Sequence, residues 1–296
     1  MATASSNEGK KPIANIKAVL FDMDGLLIDS EGIYTTVVND ILRPYGKEQT
    51  WEIKANLMGK PEREATLTLL SALWPPTKEG ELYGSDCPFD IDHFLKDRNE
   101  VLLKAFENVP QMPGATRLIQ HLHTHKIPIC VATGSKRKNF NIKTAKHREL
   151  FGPFGDRVIC GDDSRLTRGK PHPDIFLLAA REGLLQPHPD SQDTVEQLGD
   201  DWVQQLRELG AEFDGVQELK GSEGRVLVFE DAKPGVLAAK AAGMHVVWVP
   251  DPNLKALFPN EDDLGASQTI DSLLDFDPTD WGLPPFQDQA NSALPN

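Results

Sequence analysis

Cysteine is scarce in this chain and follows no pattern. Cys87, Cys130 and Cys160 are dispersed, odd in number and without C-x-x-C spacing. This excludes a zinc ribbon or a disulfide framework and fits a reducing compartment. Positive charge is also in deficit: 31 Lys and Arg stand against 45 Asp and Glu in 296 residues, a formal net charge of −14. That balance argues against a nucleic-acid partner or an anionic membrane surface, where basic patches supply the affinity. No apolar run approaches the roughly 18–20 residues of a membrane span. The opening segment MATASSNEGKKP lacks the apolar stretch of a signal peptide. The expectation is a soluble intracellular protein, with the cytoplasm as its default location.

Apolar residues make up 39% of the chain, enough for one sizeable core in one large domain or two modest ones. Five short runs rich in Val, Ile and Leu stand out: Ile16–Phe21, Ile127–Ala132, Arg157–Cys160, Arg225–Phe229 and His245–Val249. They are continuous rather than alternating, which predicts strands buried on both faces. Helical patterns lie between them at Ala115–His125, Asn139–Leu150, Asp174–Glu182 and Gly235–Ala242. Strand and helix alternating at this pitch predict an α/β fold with a doubly wound parallel sheet. Ligands of such sheets sit outside the carboxyl ends of the strands. No G-x-G-x-x-G follows the first predicted strand, so a nicotinamide dehydrogenase lacks support.

Two segments break the rhythm. From about Gly32 to Pro110 the periodicity is helical, at Tyr34–Leu42, Glu62–Leu70 and Asp92–Phe106, until Met-Pro-Gly at 112–114 punctuates the return to alternation. The expected organisation is a core of residues 12–31 and 111–283, a helical insertion at 32–110, and tails at 1–11 and 284–296. A second irregularity, acidic and polar, runs through 186–224 as a surface excursion. Within it Trp202, Leu206 and Leu209 form a short amphipathic pattern.

Chemistry concentrates at the predicted strand ends. The first strand runs into Asp22-Met23-Asp24-Gly25, two carboxylates that point to the same side of an extended chain. Such a pair either caps a turn or gathers around a hard cation such as Mg²⁺, one carboxylate then serving as nucleophile and its neighbour handling protons. The second strand runs into Thr133-Gly134-Ser135, either an ordinary helix cap or a phosphate cradle. Lys170, in Gly169-Lys170-Pro171-His172-Pro173-Asp174, is a surface lysine or the cation that neutralises phosphoryl charge. Glu230 and Asp231 end the fourth strand as a further acidic pair, which either completes a metal shell or caps the next helix. Four polar clusters at four strand ends point together to one site.

In this order, DMDG, the threonine turn, GKPHPD and FEDAKPGVLAA resemble the four motifs of the haloacid-dehalogenase-like hydrolases. The helical insertion resembles that superfamily's C1-type cap. FDMDGLLIDSE, WEIKANLMGK, KTAKHRELF, GDD and GKPHPDIFLLAA are similar to the pseudouridine 5′-phosphatase branch. The resemblance implies Asp22 as nucleophile, Asp24 as acid and base, and Thr133 and Lys170 as holders of the phosphoryl oxygens. It implies Mg²⁺ between Asp22, the main-chain carbonyl of Asp24 and Asp231, with Glu230 as a further ligand. The sequence departs from the family at Gly134, where many relatives carry Ser, at Lys233, and in the long excursion, which leaves room for a protein partner.

The implied function is a Mg²⁺-dependent phosphomonoesterase acting on a small phosphorylated metabolite, with pseudouridine 5′-phosphate as the leading candidate. Sugar- or glycerol-phosphate hydrolysis and a β-phosphoglucomutase-like transfer are the enzymatic alternatives. A non-catalytic binding module is the remote one, against which the presence of Asp22, Asp24 and Lys170 counts. For substrate choice, Lys60 and Arg63 after Met58-Gly59 resemble a cap specificity loop, or are solvated helix-end charges. Tyr34, Trp51 and Trp74 either stack on a base or belong to the cap core. His121, His123 and His125 are expected on an exposed helix face.

Overall fold

A computed structural model describes residues 12–58, 60–184, 225–257 and 264–287. The excursion at 186–224 lies outside the described residues, as do 1–11, Gly59 and 288–296. Six parallel strands form the sheet: β1 (Ala18–Phe21), β2 (Ile129–Thr133), β3 (Val158–Cys160), β4 (Val226–Glu230), β5 (His245–Trp248) and β6 (Gln268–Thr269). Their order is β3-β2-β1-β4-β5-β6. The five predicted strands are present; β6 has only two residues, too few to leave a pattern.

Alternation along the buried strands divides the core into two layers. Val19 and Phe21 face one side with Val131 and Phe229, under Leu118, Ile119 and Leu122 of α5 (Ala115–Thr124). Ala18 and Leu20 face the other with Ala132 and Val228, under Phe176 of α8 (Asp174–Leu178) and Val236 of α9 (Lys233–Ala241). The register pairs Phe21 with both Val131 and Phe229, and the rings of Phe21 and Phe229 stack at 5.1 Å. Strands β2, β1 and β4 therefore end within two residues of one another, which brings Asp22, Thr133 and Glu230 to the same edge of the sheet.

The insertion is helical, with α1 (Ser30–Leu42), α2 (Trp51–Leu57), α3 (Glu62–Leu73) and α4 (Ile91–Phe106). Its apolar interior is its own: Val38 and Leu42 pack with Leu69, Leu70, Leu73, Trp74 and Phe94. Asp29 caps α1 through the Gly32 amide at 2.9 Å, and Asp90 caps α4. The two chain crossings at its base are tied together: the Asp29 amide donates to Pro110 and the Met112 amide to Leu27. A second apolar cluster, Val37, Leu102 and Phe106, packs against Ile142 of the core.

Three sequence expectations need correction. The pattern at Asn139–Leu150 is two helices, α6 (Arg137–Thr144) and α7 (Arg148–Phe151). His147 sits at the break, its Nε2 2.7 Å from the Val109 carbonyl and its Nδ1 3.1 Å from Gln111. Those tertiary partners lie some 36 residues away, beyond the reach of local periodicity. The segment from 284 does not begin as a tail, because Phe286 is buried in the core. His121 is consequently buried rather than on an exposed face: its Nε2 lies 2.9 Å from the Pro284 carbonyl and its ring 4.5 Å from that of Phe286.

Candidate active site

Asp22 follows β1 directly, its amide donating to the Phe229 carbonyl of β4 at 3.0 Å. That bond continues the ladder by one residue and sets Asp22 beside Glu230. Lys170 reaches in from the loop before α8, and its Nζ lies 2.5 Å from both Asp22 Oδ1 and Glu230 Oε1. The ammonium donates a third bond to the Ala132 carbonyl at 3.2 Å. Glu230 is further held by the Ala232 amide at 3.1 Å. One oxygen each from Asp22, Glu230 and Asp231 come within 4.8 Å of one another, and all three residues are buried.

Such crowding shows in the proton affinities. Burial, with the charges of Glu230 and Asp24, raises the Asp22 pKa to about 7 despite Lys170. Burial and the neighbouring carboxylates push Asp231 well above the ordinary range. Lys170 is shifted up: burial works against its charge, but Asp22 and Glu230 outweigh that. Two glycines make room for this packing. A Cβ on Gly25, whose φ is +82°, would stand 2.3 Å from Asp231 Oδ2, and one on Gly235 would stand 1.7 Å from Glu230 Oε1.

Asp24 has a separate set of partners. Its Oδ1 accepts from Lys143 Nζ and Ser30 Oγ, both at 2.5 Å; its Oδ2 accepts from Ser135 Oγ at 2.6 Å and Thr133 Oγ1 at 3.3 Å. Burial alone would raise its pKa, but the Lys143 charge and the bonds from Lys143, Ser135 and Ser30 hold it below the ordinary value. No strong sequence pattern points to Lys143 or Ser30, and Ser135 stands out only as a cap or cradle. The local signal for Lys143 is faint: it follows Phe140 by one helical turn, which places it on the buried face of α6.

The structure thus brings Asp22, Asp24, Lys170, Glu230 and Asp231 to the wall of one cavity, which Gly134 also lines, with Thr133 joined to them through Asp24. That cavity, about 1010 Å³, lies between the sheet ends and the helical insertion. Lys60 lines it, bonded to Thr68 at 3.1 Å. Arg63 is not among its lining residues and pairs with exposed Asp92 on the insertion surface. Tyr34 lines the cavity, its ring set against Phe106 at 5.2 Å. Trp51 and Trp74 do not line it, and Trp74 packs against Tyr45 and Phe89.

Residues 16–189, more than half of the chain, match the haloacid dehalogenase-like hydrolase family. The chain belongs to that family. Over 274 residues it is 41% identical to (DL)-glycerol-3-phosphatase 2 of Arabidopsis thaliana, spanning 93% of this chain and 94% of the relative. It is 35% identical over 281 residues to a Drosophila melanogaster protein named "Probable pseudouridine-5'-phosphatase", spanning 94% and 99%. In fold it matches a phosphate- and sodium-bound family hydrolase of Deinococcus radiodurans, with a TM-score of 0.59 and 23% identity over 92% and 99% of the two chains. This hydrolase therefore folds on the same parallel sheet. Among the described residues no helix is long and apolar enough to cross a membrane.

Proposed function

We propose that the chain is a phosphomonoesterase that works through an aspartyl-phosphate on Asp22. The observation that carries this reading is Lys170, held against Asp22 and Glu230 beside the Asp22–Glu230–Asp231 cluster. A carboxylate nucleophile attacking an anionic phosphoryl group needs local positive charge, and the lysine supplies part of it.

The all-oxygen donor set of Asp22, Glu230 and Asp231 fits a hard divalent cation, and the raised proton affinities of Asp22 and Asp231 mark negative charge that one lysine leaves uncompensated. We assign Mg²⁺ to Asp22, Asp231 and the Asp24 main-chain carbonyl, with Glu230 as a further ligand. When bound, the ion supplies charge neutralisation for the phosphoryl oxygens.

An Asp22 oxygen attacks phosphorus, and the bond from phosphorus to the substrate oxygen breaks, leaving its electron pair on that oxygen. Asp24, when protonated, gives its proton to the leaving alcohol. Ionised Asp24 then takes a proton from water as that water attacks the aspartyl-phosphate, which releases inorganic phosphate and restores Asp22. Thr133, the turn at Gly134 and Lys170 hold the phosphoryl oxygens. The helical insertion acts as a cap that keeps bulk water away during transfer.

For the leaving group, we propose a small hydroxyl-bearing metabolite. Glu31, Gln49, Lys54, Arg98 and Asn99 line the cap side of the cavity and can bond hydroxyls, and Lys60 joins them. Arg63 would reach substrate only by breaking its pair with Asp92. The cavity volume accommodates a nucleoside, which suits pseudouridine 5′-phosphate. Glycerol 3-phosphate is the second reading, favoured by the 41% identical relative and by the absence of Trp51 and Trp74 from the cavity wall. We assign the reaction to the cytoplasm. Phosphate release with Mg²⁺ from pseudouridine 5′-phosphate, uridine 5′-phosphate, glycerol 3-phosphate and hexose phosphates tests both. Preference for either named ester identifies the substrate. No release from any ester, with an isomeric sugar phosphate as the only product, replaces the phosphatase by a mutase.

A further inference from the structure

Lys143 is the one fully buried lysine side chain among the described ion pairs, and a charge so placed must be paired. Its Nζ meets Asp24 Oδ1 at 2.5 Å and Ser135 Oγ at 3.1 Å. On its other side the ammonium stands 4.2 Å from the ring centre of Phe106 and 5.3 Å from that of Tyr34. Both rings belong to the helical insertion, on α4 and α1, whereas Lys143 belongs to the core. The cation is thus clamped between the carboxylate it orients and two aromatic faces of the cap.

We propose that Lys143 is a positioning residue for the reaction: it holds the Asp24 carboxylate in one orientation, and does so against the docked cap. Ser30 and Ser135 bond the same carboxylate, but each is a neutral donor on a freely rotating hydroxyl. Lys143 adds the charge and the rigid backing of Phe106 and Tyr34. The inference rests on the phosphatase reading for its kinetic consequence and on geometry alone for its structural one.

Lys143→Met keeps an unbranched apolar side chain on α6 and removes the ammonium. The comparison pairs an alkyl phosphate, glycerol 3-phosphate, with p-nitrophenyl phosphate, whose leaving group departs without a proton. kcat/KM, which covers the steps up to departure of the leaving group, is expected to fall about 100-fold for the alkyl ester and several-fold at most for the aryl ester. A merely structural role lowers both equally, and that result overturns the proposal. A crystal structure of Lys143→Met supplies the second readout and needs no activity. Asp24 is expected to leave its bonds to Ser135 and Thr133 while Asp22 and Lys170 keep theirs; an unmoved Asp24 overturns the proposal. Should wild-type protein hydrolyse neither ester, the phosphatase reading falls, and the crystal structure still decides the positioning role.

Discussion

Asp22 and Glu230 share one cation. They end neighbouring parallel strands whose register, Phe21 opposite Phe229, places them side by side, and Lys170 Nζ lies 2.5 Å from an oxygen of each. Two carboxylates at that separation repel strongly inside a buried site, so the lysine is structural as well as chemical.

Lys170→Met is therefore expected to do more than abolish turnover. It leaves Asp22 and Glu230 facing each other with Asp231 nearby, and should lower the stability of the metal-free protein by about 3–5 kcal/mol. Added Mg²⁺ should recover part of that loss. Denaturant melts with and without Mg²⁺ measure it, and equal stability of variant and wild type would remove the charge-balancing role.

Asp22→Asn should eliminate phosphate release while leaving the fold intact or slightly more stable, because it relieves repulsion with Glu230 and Asp24. Phosphate release and a thermal melt on the same preparation decide this. Residual turnover near wild-type level would exclude Asp22 as nucleophile.

The pH dependence has a definite sign. Folded Asp22 keeps its proton up to about pH 7, whereas its ordinary pKa is 3.8. Its contribution to stability is therefore complete below about 3.8 and lost as pH rises through about 7. Asp24, shifted down, contributes in the opposite sense, its share being lost as pH falls below its ordinary value. Between pH 5 and pH 8 the metal-free wild type should lose stability relative to Asp22→Asn. Mg²⁺ competes with the protons on this cluster, so its thermal shift should be larger at pH 8 than at pH 5. A Mg²⁺ shift independent of pH would disconnect the ion from the acidic cluster.

Gly235→Ala tests the packing beneath the cluster. The new Cβ would stand 1.7 Å from Glu230 Oε1, so the carboxylate must leave Lys170 or the helix must shift. A cost of about 1–3 kcal/mol is expected, together with a higher Mg²⁺ requirement for activity. Unchanged values of both would show that Glu230 has room to move.

Much of the site is legible in the sequence because its parts sit at strand ends. A continuous apolar run declares a buried parallel strand, and the next polar residue must then emerge at the carboxyl edge of the sheet. Asp22, Thr133 and the Glu230–Asp231 pair were found that way, and Lys170 through its motif. The sheet edge at β6 was not, because two residues carry no period.

Lys143, Ser30 and Ser135 belong to a different class. Their role depends on Asp24, which is 119, 6 and 111 residues away in sequence. A lysine in a polar helix reads as a solvated charge until the packing of α6 against α1 and α4 buries it. The same holds for His121, which only the return of Pro284 and Phe286 covers. Local pattern suffices for groups that a strand delivers to its own end, since backbone direction alone places them. Groups whose partners arrive from distant elements are placed by packing, and only the folded chain brings those partners together.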